Sequence, residues 1–433
     1  VRHCDTDLSP AGRNRLPRAE QGISRCTAGA IPFSPLQPLG IDASNAQNSG
    51  AELRGGTSLP QTRKVWQAQI EYPLNTLTQV TWNCASEVIG TGAHEDNPDF
   101  KLFLISDEIT LNVAIPDNAL FWVRLAQKDP TGAAGLLCQD IGNLQSNIPR
   151  SFNKALRETN CAADASLLTN PVMQDPTLGF WAFTGNGLIY GSSAAQWASV
   201  RPLAILGQSR KPAFSLWGDS RVCGIGDTFD GVRDDRGEVE RSIGAAYAYI
   251  NLAIPGQPLA DVSGTFAKYP NDVFPSMVPH FGLGQYTTNL IEDLGGRDCI
   301  NDAGDDKFME NFWKNKTTLW NGWTSLRKSA QSLSALTFPF APSEAKAAND
   351  LIKAVVDTLR AGVTWQNDHR LSDQDPLNPQ VRVLDVASIV SKNGSNYDWS
   401  CTNYAAEDNL HESQTGCLAI AESGIIDPYA LTR

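Results

Sequence analysis

A serine on a sharp turn at the end of a buried strand is a candidate nucleophile, and this chain offers one in Leu216-Trp217-Gly218-Asp219-Ser220-Arg221-Val222. The apolar run stops at Gly218-Asp219, so Ser220 is expected to stand above a sheet with its Oγ toward substrate. A hydroxyl is a poor nucleophile at neutral pH unless a base takes its proton. The histidines are His3, His94, His280, His369 and His411. In Glu407-Asp408-Asn409-Leu410-His411-Glu412-Ser413, Asp408 lies three residues before His411, a spacing at which a loop or first helical turn sets carboxylate beside imidazole. His280 and His369 have no acidic partner at useful spacing and are read as structural. Singly, Ser220 also reads as a helix N-cap and His411 as a surface histidine. Their order and context carry the catalytic reading.

The elements that must position these residues follow from texture. After Lys211-Pro212, apolar strands at 213–217, 249–253, 289–291, 333–338 and 381–386 alternate with helical stretches, the clearest at 305–329 and 343–360. The second helix places Leu351, Val355, Val356 and Leu359 on one face. Such alternation predicts an α/β fold with a five-stranded parallel sheet between helices, a flavodoxin-like three-layer arrangement whose site lies at the carboxyl ends of the strands. Upstream, segments at 65–70, 79–82, 109–113 and 120–125 alternate with period two and are separated by turn residues such as Pro116-Asp117-Asn118. That pattern predicts an antiparallel β-sandwich, jelly-roll-like, over 61–205. Residues 1–60 are rich in Pro, Gly, Ser and Asn without a sustained period. They read as an extended arm, either docked on its own chain or a neighbouring subunit or assembly, or a mobile tail. The third unit is then 206–433.

Gly-Asp-Ser after the first parallel strand, with Asp-x-x-His after the last, resembles the SGNH (GDSL-type) serine hydrolases and esterases over about half the chain. The resemblance implies that Ser220 is the nucleophile and an oxyanion donor through its N–H, that Gly256 after the second strand is another donor, and that Asp408 and His411 complete the triad. The family's Gly-x-Asn-Asp after the third strand aligns with Gly295-Gly296-Arg297-Asp298, so Arg297 stands where asparagine is expected, with Asn301 as the alternative. Arg221, directly after the nucleophile, also departs from the usual apolar residue. A guanidinium carries five donors and a permanent charge, so Arg221 and Arg297 are candidate substrate-binding residues for an anionic group or oxyanion.

The composition narrows the rest. In 433 residues, 47 Asp and Glu outweigh 35 Lys and Arg, a net charge of −12. This argues against nucleic acid, because phosphate contact needs clustered cations. The sequence contains no apolar run long enough to cross a bilayer. Metal and cofactor motifs are missing, and neither His94-Glu95-Asp96-Asn97 nor the run Asp227, Asp230, Asp234, Asp235 has calcium-loop spacing. The nine cysteines form no Cys-x-x-Cys; Cys401 with Cys417 and Cys138 with Cys161 are disulfides in an oxidising compartment or buried free thiols otherwise. Val1 is either a processed end or a start codon written as Val. No cofactor is expected.

Together these readings predict an esterase acting on a small ester or an acylated carbohydrate, with removal of O-acetyl groups the leading expectation. Trp66, Trp82 and Trp122 offer faces that stack on sugars or pack in the core. The location expected is extracellular, cell-surface or virion-associated. The alternative is a non-catalytic surface or structural protein built on the same fold.

Overall fold

The computed structural model describes residues 64–73, 76–90, 103–116, 119, 121–128, 205–207, 211–227, 237–244, 246–253, 256–260, 262–263, 284, 286–325, 333–337, 346–361, 381–392 and 399–432, with strand segments at 23–28, 31–32, 139–140 and 198–199. The described residues within 57–138 and at 205–207 belong to one compact unit, and those from 210 onward to another.

In the first unit the strands β1 (Ile23–Ala28), β2 (Lys64–Glu71), β3 (Leu77–Gln79), β4 (Val88–Gly90), β5 (Glu108–Ile115), β6 (Trp122–Lys128) and β7 (Ile205–Gly207) make two antiparallel sheets. One is ordered β7-β1-β5; in the other β2 pairs with β3, β4 and β6. Ala68 and Ile70 of β2 and Ile109, Leu111 and Ile115 of β5 meet in one core with Val80 and Trp82, so the sheets share an interior as a sandwich does. The connectivity that would define a jelly roll involves residues outside the described set. Val113, inward by simple alternation, is 49% exposed. The pairing of β5 with β1 shifts register between Ile23 and Arg25, so the alternation is interrupted between Leu111 and Ile115. Residues 23–28 differ from the expected arm: β1 is the central strand of its sheet, because backbone pairing on both edges needs no apolar period.

The second unit contains β8 (Ala213–Gly218), β9 (Ala248–Asn251), β10 (Asn289–Asp293), β11 (Leu333–Leu336) and β12 (Val381–Leu384), all parallel, in the order β9-β8-β10-β11-β12. In chain order that is 2-1-3-4-5, the flavodoxin-like winding, with a switch point beside the first strand. Helices α1 (Gly237–Ile243), α2 (Gly296–Asn301), α3 (Phe308–Ser325), α4 (Lys346–Arg360), α5 (Ala387–Val390), α6 (Gln414–Ser423) and α7 (Pro428–Leu431) cover the sheet. Side chains alternate across each strand. Phe214 and Leu216 of β8 and Ile291 of β10 pack with Val239 and Ile243 of α1, Val390 of α5, Ile420 of α6 and Leu431 of α7. Glu292 of β10 faces the other way, toward Lys316 and Trp320 of α3. Two helical layers therefore enclose the sheet. The stripe on α4 runs through Ile352, Val355, Val356 and Leu359, with Leu351 only half-buried at its margin.

Candidate active site

β8 ends at Gly218, and the chain turns at once. Cys223 N–H donates to Asp219 O, Gly224 N–H to Arg221 O and Ile225 N–H to Ser220 O, winding residues 219–226 into a compact turn. Asp219 Oδ1 accepts the Arg221 N–H at 3.1 Å and locks the residue after the serine. Two glycines make the turn possible. A Cβ on Gly218 would fall 2.4 Å from Val222 Cγ2, and one on Gly226, which has φ +89°, 2.5 Å from Glu412 O and 3.0 Å from His411 Cβ. The nucleophile turn and the base loop therefore meet backbone to backbone.

The base loop is built around Asp408. Its Oδ1 accepts the N–H groups of Leu410 and His411 at 2.9 and 3.0 Å, while Oδ2 lies 2.5 Å from His411 Nδ1. Asn409 takes φ 54°, a left-handed position that asparagine tolerates, and the Ala405–Glu412 bridge closes the loop. Ser413 then caps α6 by accepting from Gly416 N–H. At the other edge of the imidazole, His411 Nε2 is 2.7 Å from Ser220 Oγ. Partial burial raises the Asp408 carboxyl, but hydrogen bonds from the His411 ring, the His411 N–H and the Leu410 N–H outweigh it and hold the group below the usual carboxylate range. Asp408 is thus an acceptor at neutral pH, placed to take a hydrogen bond from His411 Nδ1, and Nε2 stands at the serine hydroxyl.

Register brings the other candidate positions to the same edge. Leu216 pairs with Asn251 of β9, and Gly218 with Asp293 of β10, so the segments bearing Gly256 and Arg297 leave the sheet beside the nucleophile turn. Gly256 has φ 73°. Asp298, next to Arg297, accepts the Leu259 and Ala260 N–H groups at 2.7 and 3.1 Å, which ties α2 to the segment after Gly256. Burial is the main reason the Asp298 carboxyl is pushed up to about 6, against those two hydrogen bonds. Arg297 is half-buried at the second position of α2. Asn301 is exposed at the far end of that helix, about 6 Å further along its axis at the standard rise, which disfavours it as the alternative donor.

Other expectations need correction. Arg221 does not face substrate: its side chain is 5% exposed and lies 3.9 Å from Glu412 Oε1 inside the unit. Four carboxylates, those of Glu412, Asp293, Asp219 and Glu238, surround it and keep its proton bound although burial alone works the other way. The turn wound by the hydrogen bonds of residues 219–226, with Asp219 Oδ1 accepting the Arg221 N–H, sets this direction. Cys401 and Cys417 are not bridged: Cys401 is exposed, whereas Cys417 is buried on α6 with its thiol pushed up by burial and by nearby Glu238, Asp227 and Glu412. Cys84, which the sequence reading left unpaired, is disulfide-bonded. Cys138 and Cys161 lie outside the described residues, as do His94–Asn97, Asp230, Asp234 and Asp235. Asp227, which the sequence places in a solvated acidic loop, is buried instead: it holds Arg241 in a two-pronged ion pair and accepts the Gly237 N–H at the start of α1. Among the described residues no group of His, Cys, Asp and Glu is arranged to hold a metal ion. Trp82 is a core residue, and the side chains of Trp66 and Trp122 lie outside the described set.

Sequence reasoning missed Glu238, Asp293 and Glu412. Glu412 had the one available signal, a second carboxylate directly after the base; the other two lie in segments with no motif.

No family model matches the chain, and no curated protein does. Solved structures do. A lipase from a goat rumen metagenome is matched with 15% identity and a TM-score of 0.37, covering 52% of this chain and 99% of that one. A lipolytic protein of the G-D-S-L family from Veillonella parvula is matched with 13% identity and a TM-score of 0.34, over 51% of this chain and 99% of its own. A lipase/acylhydrolase from Enterococcus faecalis shares 17% identity at a TM-score of 0.32, over 52% and 98%. Each of these matches covers about half of this chain and nearly the whole of the other.

Proposed function

We propose that the chain is a serine esterase. The observation that carries this reading is the continuous contact from Asp408 Oδ2 to His411 Nδ1 and from His411 Nε2 to Ser220 Oγ, at 2.5 and 2.7 Å. Ser220 Oγ attacks the ester carbonyl carbon while its proton passes to His411 Nε2. The ionised Asp408 steadies the imidazolium that forms. The negative charge on the former carbonyl oxygen is accepted by the N–H groups of Ser220 and Gly256, with the Arg297 guanidinium as third donor. Collapse breaks the ester C–O bond, and the alcohol leaves with the proton from His411. Water then attacks the acyl-enzyme with His411 again as base, releasing the acid and restoring Ser220.

The substrate class we assign is an acylated carbohydrate, with O-acetyl groups first, acted on outside the cell or on a cell or virion surface. The Cys84 disulfide favours an oxidising compartment. A purely structural surface protein, the alternative, has no use for a histidine poised between a carboxylate and a serine hydroxyl. Labelling with a fluorophosphonate and turnover of p-nitrophenyl acetate and of acetylated xylan, wild type against Ser220→Ala, test the proposal. Both labelling and turnover are expected to vanish in the variant; a wild type that neither labels nor turns over any ester refutes it.

A further inference from the structure

The nucleophile and the base are 191 positions apart in sequence, and each is followed by one member of a buried ion pair: Arg221 after Ser220, Glu412 after His411. Their side chains are 5% and 1% exposed and approach to 3.9 Å. The backbones are boxed by glycine at the same place. Gly226 leaves no room for a Cβ beside Glu412 O, and a Cβ on Gly237, where α1 begins, would fall 2.9 Å from Arg221 O. We propose that the Arg221–Glu412 pair is a tether that holds the nucleophile turn and the base loop in register, making both residues positioning residues for the Ser220–His411 contact. This rests on the esterase reading for its kinetic consequence, though not for the geometry itself.

The charge environment of the pair is crowded. One guanidinium faces four carboxyl groups from four segments: Asp219 in the nucleophile turn, Glu238 in α1, Asp293 at the end of β10 and Glu412 in the base loop. All are buried, and a buried anion without a partner takes up a proton instead. Burial pushes Asp293 and Glu238 well above the ordinary carboxylate range, with Asp219 and Glu412 respectively adding repulsion. Glu238 Oε2, Asp293 Oδ1 and Glu412 Oε1 are all buried without a hydrogen-bond partner, so the 3.9 Å approach of Glu412 to Arg221 is an ion pair rather than a hydrogen bond. Glu412 is also raised by burial, but Arg221 pulls it back from ion-pair distance. A tether of this kind acts on alignment. A displacement of about 1 Å at a reacting contact costs roughly 10²-fold in rate.

The test compares Arg221→Met, Arg221→Lys, Glu412→Gln and the Arg221→Met/Glu412→Gln double variant in the full chain, with p-nitrophenyl acetate. Expected are a fall in kcat of about 10- to 100-fold in Arg221→Met with KM within about threefold, recovery of most of that loss in Arg221→Lys, and a double variant no slower than Arg221→Met, as for two residues acting through one contact. The downfield proton of His411 Nδ1 is followed by NMR in the same proteins and is expected to weaken in Arg221→Met and Glu412→Gln. If Arg221→Met does not fold, Glu412→Gln and Arg221→Lys decide by the same criteria. An unchanged kcat with an unchanged proton signal, additive losses in the double variant, or a raised KM at constant kcat overturns the tether. Should the wild type show no esterase activity at all, the esterase reading falls, and the His411 signal still decides whether the pair holds the loop.

Discussion

Glu292 and Asp293 are neighbours on β10 and point to opposite faces of one sheet, yet their surroundings are opposite in kind. Glu292 is fully buried and fully satisfied: both oxygens accept from Lys316 Nζ at 2.8 and 2.7 Å, Oε1 also accepts from Trp320 Nε1, and Oε2 from the Leu294 N–H. One anion meets one cation. Asp293 belongs to a cluster of four carboxyls around a single guanidinium, and its Oδ1 accepts nothing. The first network is what a buried charge requires in a stable core; the second leaves polar groups without partners beneath the site. Natural chains tolerate such local conflict where function demands it, and here the conflict lies under Ser220 and His411.

The largest expected effect breaks the site and leaves the fold. Asp408→Asn removes the acceptor that fixes the His411 tautomer, so kcat for p-nitrophenyl acetate should fall by about 10³-fold. Asp408 is half-exposed, so the melting temperature should barely move. A variant that keeps wild-type kcat would mean that Asp408 does not orient the base.

Lys316→Met reverses that pattern. It strands Glu292 as an uncompensated buried charge, which typically costs about 3–5 kcal/mol. Urea denaturation should show this loss, while turnover per folded molecule stays at the wild-type level. A loss below about 1 kcal/mol would show that Glu292 simply takes up a proton, which would remove the contrast with Asp293.

Asp293→Asn should go the other way. Asp293 has a folded-state pKa raised by burial and then by Asp219, so its contribution to stability is fully present below its ordinary value of 3.8 and is lost as pH rises through the folded value. Replacing it by a neutral isostere should flatten the fall in stability on the alkaline side of pH 4 and stabilise the protein at pH 8 by roughly 1 kcal/mol or more. A variant less stable than wild type at pH 8 would mean that the ionised form is the one that the cluster needs.

These contrasts also mark how far the sequence could be read. The five parallel strands were legible, because apolar runs report burial, and so was the contact of Asp408 with His411, because Asp-x-x-His reports a local turn. β1 was not, since Ile23–Ala28 is recruited by pairing with β5 and β7, whose positions are more than eighty residues away in sequence. Arg221 was placed on the wrong side of its turn. Its type suggested substrate binding, but direction is set by the hydrogen bonds of residues 219–226, and its acidic partners come from α1, β10 and the base loop. Glu238 and Asp293 converge on Arg221 only through tertiary structure, so no spacing announces them.

The smallest effect separates the two thiols on either side of the base loop. Cys401 is exposed, and Cys417 is buried beside the acidic cluster, with burial first and Glu238, Asp227 and Glu412 after it opposing the thiolate. Only a thiolate attacks iodoacetamide, so peptides containing Cys401 should be carboxamidomethylated in the native protein while Cys417 stays unmodified until urea is added. Cys401→Ser should then change neither kcat nor stability by more than about 0.5 kcal/mol, as for surface substitutions that touch no buried network. Native-state modification of Cys417, followed by mass spectrometry, would mean that α6 opens and that the cluster beneath His411 is reached by solvent. The unsatisfied carboxyls would then be hydrated, and the contrast with the Glu292 network would disappear.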